Sequence, residues 1–117
     1  MQIQINSDDH VSVRDELHRE VQAMIDTTLG RFSERLTRIE VHLSDANAAK
    51  AGSTDKRCLM EARPAGREPV AVTHDAATVH AAYGGAARKL KRLLDSTLGR
   101  ASDHKGAETI RKDGAVI

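Results

Sequence analysis

Aliphatic residues recur at two different periods along this chain, and the order of those periods limits the folds open to it. Gln2, Ile3, Gln4, Ile5 and Asn6 alternate, which predicts a short strand with one buried face. Val13, Leu17, Val21, Met24, Ile25, Thr28, Leu29 and Phe32 follow at spacings of three and four, the pattern of an amphipathic helix. Ser12 with Asp15 reads as a capping box at its start, and Gly30 as a left-handed terminator. Arg31 to Leu36 is short and irregular, with room for one further turn. Alternation returns where Ile39, Val41 and Leu43 interleave with Arg38, Glu40 and His42. Ala46 to Asp55 is small and polar and predicts a mobile loop. Arg57 to Arg63 and Pro69 to His74 are two further strands around the turn Pro64-Ala65-Gly66-Arg67-Glu68, with each proline at a strand end.

A second helix starts at Ala77. Val79, Ala82, Tyr83, Ala86, Leu90, Leu93, Leu94 and Thr97 form its stripe, and Gly99 closes it. Gly84-Gly85 inside it marks either a kink or the close approach of another backbone. The order is β-α-β-β-β-α, an α+β fold. The first strand, helix and second strand make a parallel pair with a right-handed crossover, and antiparallel hairpins follow. Both helices must bury a stripe, so both lie on one face of a four-stranded mixed sheet. At 117 residues the chain holds one domain, placed at residues 1–98, followed by a flexible tail over residues 99–117.

Charge is distributed unevenly. The formal net charge of +1 is the sum of residues 1–45, with 5 basic and 9 acidic groups (net −4), and residues 46–117, with 13 basic and 8 acidic (net +5). Arg88, Lys89, Lys91 and Arg92 all fall opposite the apolar stripe of the second helix. Such a face can neutralise phosphates, or it can be the solvated side that any amphipathic helix needs. The aromatic content is 2%, Tyr83 and Phe32, which excludes a stacking platform for bases. No apolar run is long enough to span a membrane, and no signal peptide is expected at Met1-Gln2-Ile3-Gln4. A single cysteine cannot form an internal disulfide, which fits a reducing cytoplasm.

Catalysis has no visible carrier. The six histidines show no metal-ligand spacing, and His74-Asp75 with His80 is the one group with room to converge, near the start of the second helix. Cys58, between Arg57 and Leu59 in a strand, reads as core or sheet-face filler. No nucleophile elbow, phosphate loop or dinucleotide fingerprint is present, so no enzyme activity, metal or cofactor is expected.

Three features together resemble a known family. They are the opening strand Met1-Gln2-Ile3-Gln4-Ile5, a first helix ending near Phe32 followed directly by Ile39-Glu40-Val41-His42-Leu43, and the last helix. The chain resembles the ribosome hibernation promoting factors, also called ribosome-associated inhibitor A or sigma-54 modulation proteins, over residues 1–98. Members enter the last helix through D-x-Y-A-A-I-D and continue to K-L-x-R-Q-L. Here Ala81, Ala82, Lys89, Leu90, Arg92 and Leu94 match, while Thr78, His80 and Gly84 replace the acids and the tyrosine. Met24 and Thr27 stand where lysines are common on the family's first helix.

The resemblance implies a shape similar to a double-stranded RNA-binding domain with an added strand. It also implies a translation inhibitor that is not an enzyme, occupying the mRNA and tRNA channel of the small ribosomal subunit through basic helix residues that touch rRNA. Those residues would be Arg88, Lys89, Lys91 and Arg92. The length resembles the short forms, so a monomer without the C-terminal dimerisation domain is expected, in the cytoplasm. About four to six phosphate contacts would make binding strongly salt-dependent. The competing reading is a diverged regulatory protein-interaction module on the same fold, which the mixed-charge first helix favours. A third, an enzyme using Cys58 or the histidines, would need Cys58 exposed in a cleft beside a histidine.

Overall fold

The computed structural model describes residues 1–8, 14–46 and 55–99. Its elements are β1 (Gln2–Ser7), α1 (Asp15–Leu29), a short 3-10 turn (Gly30–Phe32), β2 (Leu36–Asp45), β3 (Lys56–Pro64), β4 (Val70–Ala76) and α2 (Val79–Leu94), followed by a wider turn over Asp95–Gly99. The strands form a four-stranded sheet in the order β1-β2-β3-β4. β1 runs parallel to β2, with Ile3 beside Ile39 and Ile5 beside Val41. The remaining pairs are antiparallel, and they place Val41 beside Met60 and Met60 beside Val72. The expected mixed α+β fold is therefore present.

Strand alternation decides which side chains meet the helices. Ile39, Val41 and Leu43 of β2 and Cys58, Met60 and Ala62 of β3 are buried on one face. They join Val21, Ile25, Leu29 and Phe32 from the first helical segment with Ala82, Tyr83, Ala86, Ala87, Leu90 and Leu94 from α2. Leu17 and Met24 are half-buried at the margin, while Val13 lies outside the described residues. The opposite sheet face carries Arg38, Glu40, His42, Arg57, Glu61 and Arg63.

Several local expectations change. Gly30 is right-handed (φ −58°, ψ −30°) rather than a left-handed terminator, because the chain continues into a 3-10 turn instead of reversing. In that turn the Ser33 N–H donates to the Gly30 carbonyl at 3.0 Å and the Arg35 N–H to that of Phe32 at 2.8 Å, which buries Phe32. The left-handed glycine is Gly66 (φ 73°), at the β3–β4 turn, where the Arg67 N–H donates to the Pro64 carbonyl at 3.2 Å. β2 is longer than residues 38–43, because antiparallel pairing with β3 runs from Leu36 to Asp45, beyond the stretch that β1 pairs. α2 begins at Val79, not Ala77. Thr78 is its cap, its hydroxyl oxygen accepting from the Ala81 N–H at 3.1 Å. Ser12 of the expected capping box, most of the 46–55 loop and the tail from residue 100 lie outside the described residues.

The glycine pair separates into two roles. A Cβ at Gly84 would make ordinary contacts, 3.5 Å from Arg88 Nη1 and 3.6 Å from Met24 Cε. A Cβ at Gly85 would fall into the imidazole ring of His74. The close approach is thus by a side chain rather than by another backbone, and α2 is continuous through the pair. Gly84→Ala should stabilise the fold by up to about 1 kcal/mol through helix propensity. Gly85→Ala should be roughly 1–3 kcal/mol less stable than Gly84→Ala, and His74→Ala in the Gly85→Ala background should recover part of that difference. Thermal denaturation of the three variants checks this, and equal shifts for the two glycines would contradict the slot.

Candidate nucleic-acid interface

The four basic residues of α2 share its outward side but not one environment. Arg88 and Arg92, one turn apart, are exposed and have no ion-pair partner among the described residues. Lys89 leans toward the sheet edge, its ammonium donating to the Thr73 carbonyl of β4 at 2.9 Å. Lys91 leans the other way and meets the Asp95 carboxylate at 3.3 Å. Burial of Leu90 and Leu94 holds all four in place, because the stripe beneath them cannot rotate out of the core. The helix is therefore a basic ridge whose crest carries two guanidinium groups that pair with no acid among the described residues.

Two further cations lie near the end of this ridge that helical spacing could not reveal. Arg31, in the 3-10 turn after α1, pairs with Asp95 and places its guanidinium over the Phe32 ring, 4.8 Å from the centroid. Arg35 donates to the Leu98 carbonyl at 2.9 Å, tying the entry to β2 to the last turn after α2. Arg31 and Asp95 are 64 positions apart in the chain, so no local signal announces the pair.

The open face of the sheet is charged but largely self-paired. Glu40 on the central strand β2 meets Arg38 at 2.6 Å, His42 at 3.3 Å and Arg63 at 4.0 Å. Arg63 also meets Glu61 at 3.6 Å. Arg57 Nε and Nη2 donate to the two oxygens of Asp75 at 2.8 and 3.0 Å. Hydrogen bonding from Arg57 holds the Asp75 carboxyl below its ordinary range, and the same bond raises the Arg57 guanidinium. Cations engaged in this way are less available to phosphate than those of the α2 crest.

The groups considered for chemistry do not converge. The His74 ring lies against Gly85 on the helix side of the sheet, Asp75 points to the open face with Arg57, and exposed His80 packs edge-on against Tyr83 at 5.2 Å. No group of three or more His, Cys, Asp or Glu that could hold a metal occurs among the described residues. No described helix is long and apolar enough to cross a membrane. Cys58 is fully buried, and desolvation pushes its thiol up to about 12. Burial likewise raises the Tyr83 phenol, with Glu20 adding a smaller effect.

A small four-stranded mixed sheet covered on one face by two helices, with a basic second helix, defines the class. The chain belongs to the family described as sigma 54 modulation protein / S30EA ribosomal protein, whose model matches residues 3–102. Two solved structures share the fold. The N-terminal domain of Protein Y from Thermus thermophilus has a TM-score of 0.67 at 18% identity, covering 83% of this chain and 99% of its own. A ribosomal subunit interface protein from Coxiella burnetii has a TM-score of 0.64 at 13% identity, covering 85% of this chain and 99% of its own. No curated protein matches the chain.

The departures from the family pattern have a structural account. Thr78, in place of an acid, still caps α2. His80 and Tyr83 exchange the aromatic position by one turn and remain in contact. Met24 and Gly84, where a lysine and an acid are common, lie close together across the two helices. Burial of Cys58 generates a direct prediction. The native protein should resist iodoacetamide at about pH 8 and be labelled only after denaturation, and rapid labelling of the folded protein would contradict the burial described.

Proposed function

We propose that this protein is a ribosome-binding hibernation factor that inhibits translation by lodging in the mRNA and tRNA channel of the small subunit. Its basic α2 ridge contacts rRNA there. The observation that carries the reading is the pair Arg88 and Arg92, exposed one turn apart and without ion-pair partners among the described residues, on a chain of the S30EA family. Lys89 and Lys91 extend the same ridge on either flank. Exposed guanidinium groups suit phosphate oxygens through paired N–H donors. With so few aromatics, recognition follows the RNA backbone and its folded shape rather than stacked bases.

The family reading also supports a cytoplasmic protein that acts in stationary phase or stress, without catalysis. The domain to which this reading assigns the activity is residues 1–98.

A second reading is favoured by α1, where Asp15, Glu16, Glu20 and Asp26 are exposed beside Arg19. That surface suits a protein partner better than a polyanion. Salt dependence separates the two. Binding to 30S subunits through about four phosphates should weaken roughly a hundredfold between ~50 and ~200 mM salt, whereas a protein contact made through the mixed acidic and basic groups of α1 releases no condensed counterions and should weaken far less.

Arg88→Glu with Arg92→Glu should lower affinity for 30S subunits at least about tenfold while leaving the circular dichroism spectrum unchanged, since both side chains are exposed. Lys89→Glu should act more weakly, because its ammonium already holds the Thr73 carbonyl. Sucrose-gradient sedimentation of lysate checks the reading as a whole. Absence of the wild-type protein from the 30S and 70S fractions at low salt would remove it.

A further inference from the structure

We propose that Asp95 is an intramolecular stand-in for an RNA phosphate. It occupies a two-cation site formed by Arg31 and Lys91, and it sets the affinity of the basic ridge by competing for that site. The inference rests on the RNA-binding reading above and deepens it by naming a phosphodiester subsite and the residue that guards it.

The two oxygens of Asp95 are divided between the two cations. Oδ1 takes Arg31 Nη2, and Oδ2 takes Lys91 Nζ at 3.3 Å. A phosphodiester presents the same chemistry, two oxygens sharing one negative charge, and pairs with the same donors. All three side chains are accessible, with relative exposures of 58% for Arg31, 34% for Asp95 and 41% for Lys91, so an incoming backbone can reach them. Arg31 comes from the segment after α1 and Lys91 from α2, so the subsite straddles the two helices. It also continues the ridge, since Arg92 follows Lys91 directly and Arg88 lies one turn before Arg92.

Asp95 is poorly placed for helix stability. It is the C-cap of α2, and its backbone N–H bonds back to the Arg92 and Lys91 carbonyls. A carboxylate at that end faces the negative pole of the helix dipole, where a cation is preferred. Arg35, donating to the Leu98 carbonyl at 2.9 Å, holds the following turn against the body of the protein and keeps Asp95 beside its partners. The acid therefore sits where it opposes the helix but satisfies two cations. Bound phosphate would displace it at the cost of breaking surface ion pairs, which are individually weak.

The test compares wild-type protein, Asp95→Asn and Asp95→Ser in equilibrium binding to isolated 30S subunits and to a mixed-sequence duplex RNA. Each is measured at two salt concentrations, with folding monitored by circular dichroism. Both variants should bind roughly tenfold tighter at low salt, with a salt slope steeper by about one to two phosphate contacts. Arg31→Gln should weaken the Asp95→Asn protein more than it weakens wild type, because only the freed guanidinium is available to RNA. Unchanged or weaker binding by the folded variants, or an equal effect of Arg31→Gln in both backgrounds, overturns the proposal and identifies Asp95 as a clamp between the helices. The two failures are distinguishable. Wild type that binds 30S with no gain in the variants leaves the ribosome reading standing. Wild type that ignores 30S while the variants gain on duplex RNA removes the ribosome reading and keeps the subsite.

Discussion

The packing of α2 across β3 and β4 is the constraint on which the rest depends. With two aromatic residues in the chain, the core has little bulk to fill a wide gap between helix and sheet. The helix answers with small residues. Ala82, Gly84, Gly85, Ala86 and Ala87 are all buried, and the His74 ring of β4 lies directly against Gly85. Leu90 and Leu94 then reach the core beside Val41, Met60 and Leu29. Close packing of this kind tolerates little added volume at the contact, so the height and rotation of α2 are set by it.

Everything electrostatic about the candidate interface follows from that rotation. Once Leu90 and Leu94 face inward, Arg88 and Arg92 must face water, Lys89 must lean toward β4 and Lys91 toward the end of α1. The same placement brings Asp95 to Arg31. The basic ridge is graded as a result. Its crest is open, one flank is held by a backbone carbonyl and the other by a carboxylate. The sheet's open face contrasts with it, because cross-strand neighbours there pair acid with base, as Arg57 does with Asp75 and Arg63 with Glu40. One face of the molecule is thus close to neutralised, and one helix retains positive charge that is unpaired among the described residues.

Much of the fold was legible in the sequence because its periods are clean. Ile39, Val41 and Leu43 alternate with polar residues, and that alternation places them inward whatever their partners are. Val21, Ile25, Leu29 and Leu90, Leu94 repeat at helical spacing for the same reason. The ends of elements were less legible. Gly30 has the composition of a left-handed cap but continues into a 3-10 turn, because Phe32 must be carried into the core. α2 begins at Val79 rather than Ala77, because the side-chain oxygen of Thr78 accepts the Ala81 N–H and caps it.

For the candidate interface the division is sharper. Sequence by itself determined that Arg88, Lys89, Lys91 and Arg92 stand opposite an apolar stripe, since helical geometry relates neighbours a few residues apart without reference to anything else. Tertiary structure alone decided which of those charges stay free. It also placed Arg31 and Asp95 together from positions 64 residues apart and seated His74 over Gly85. Pairing of charges depends on distances across elements, and those distances exist only once the helices have packed on the sheet.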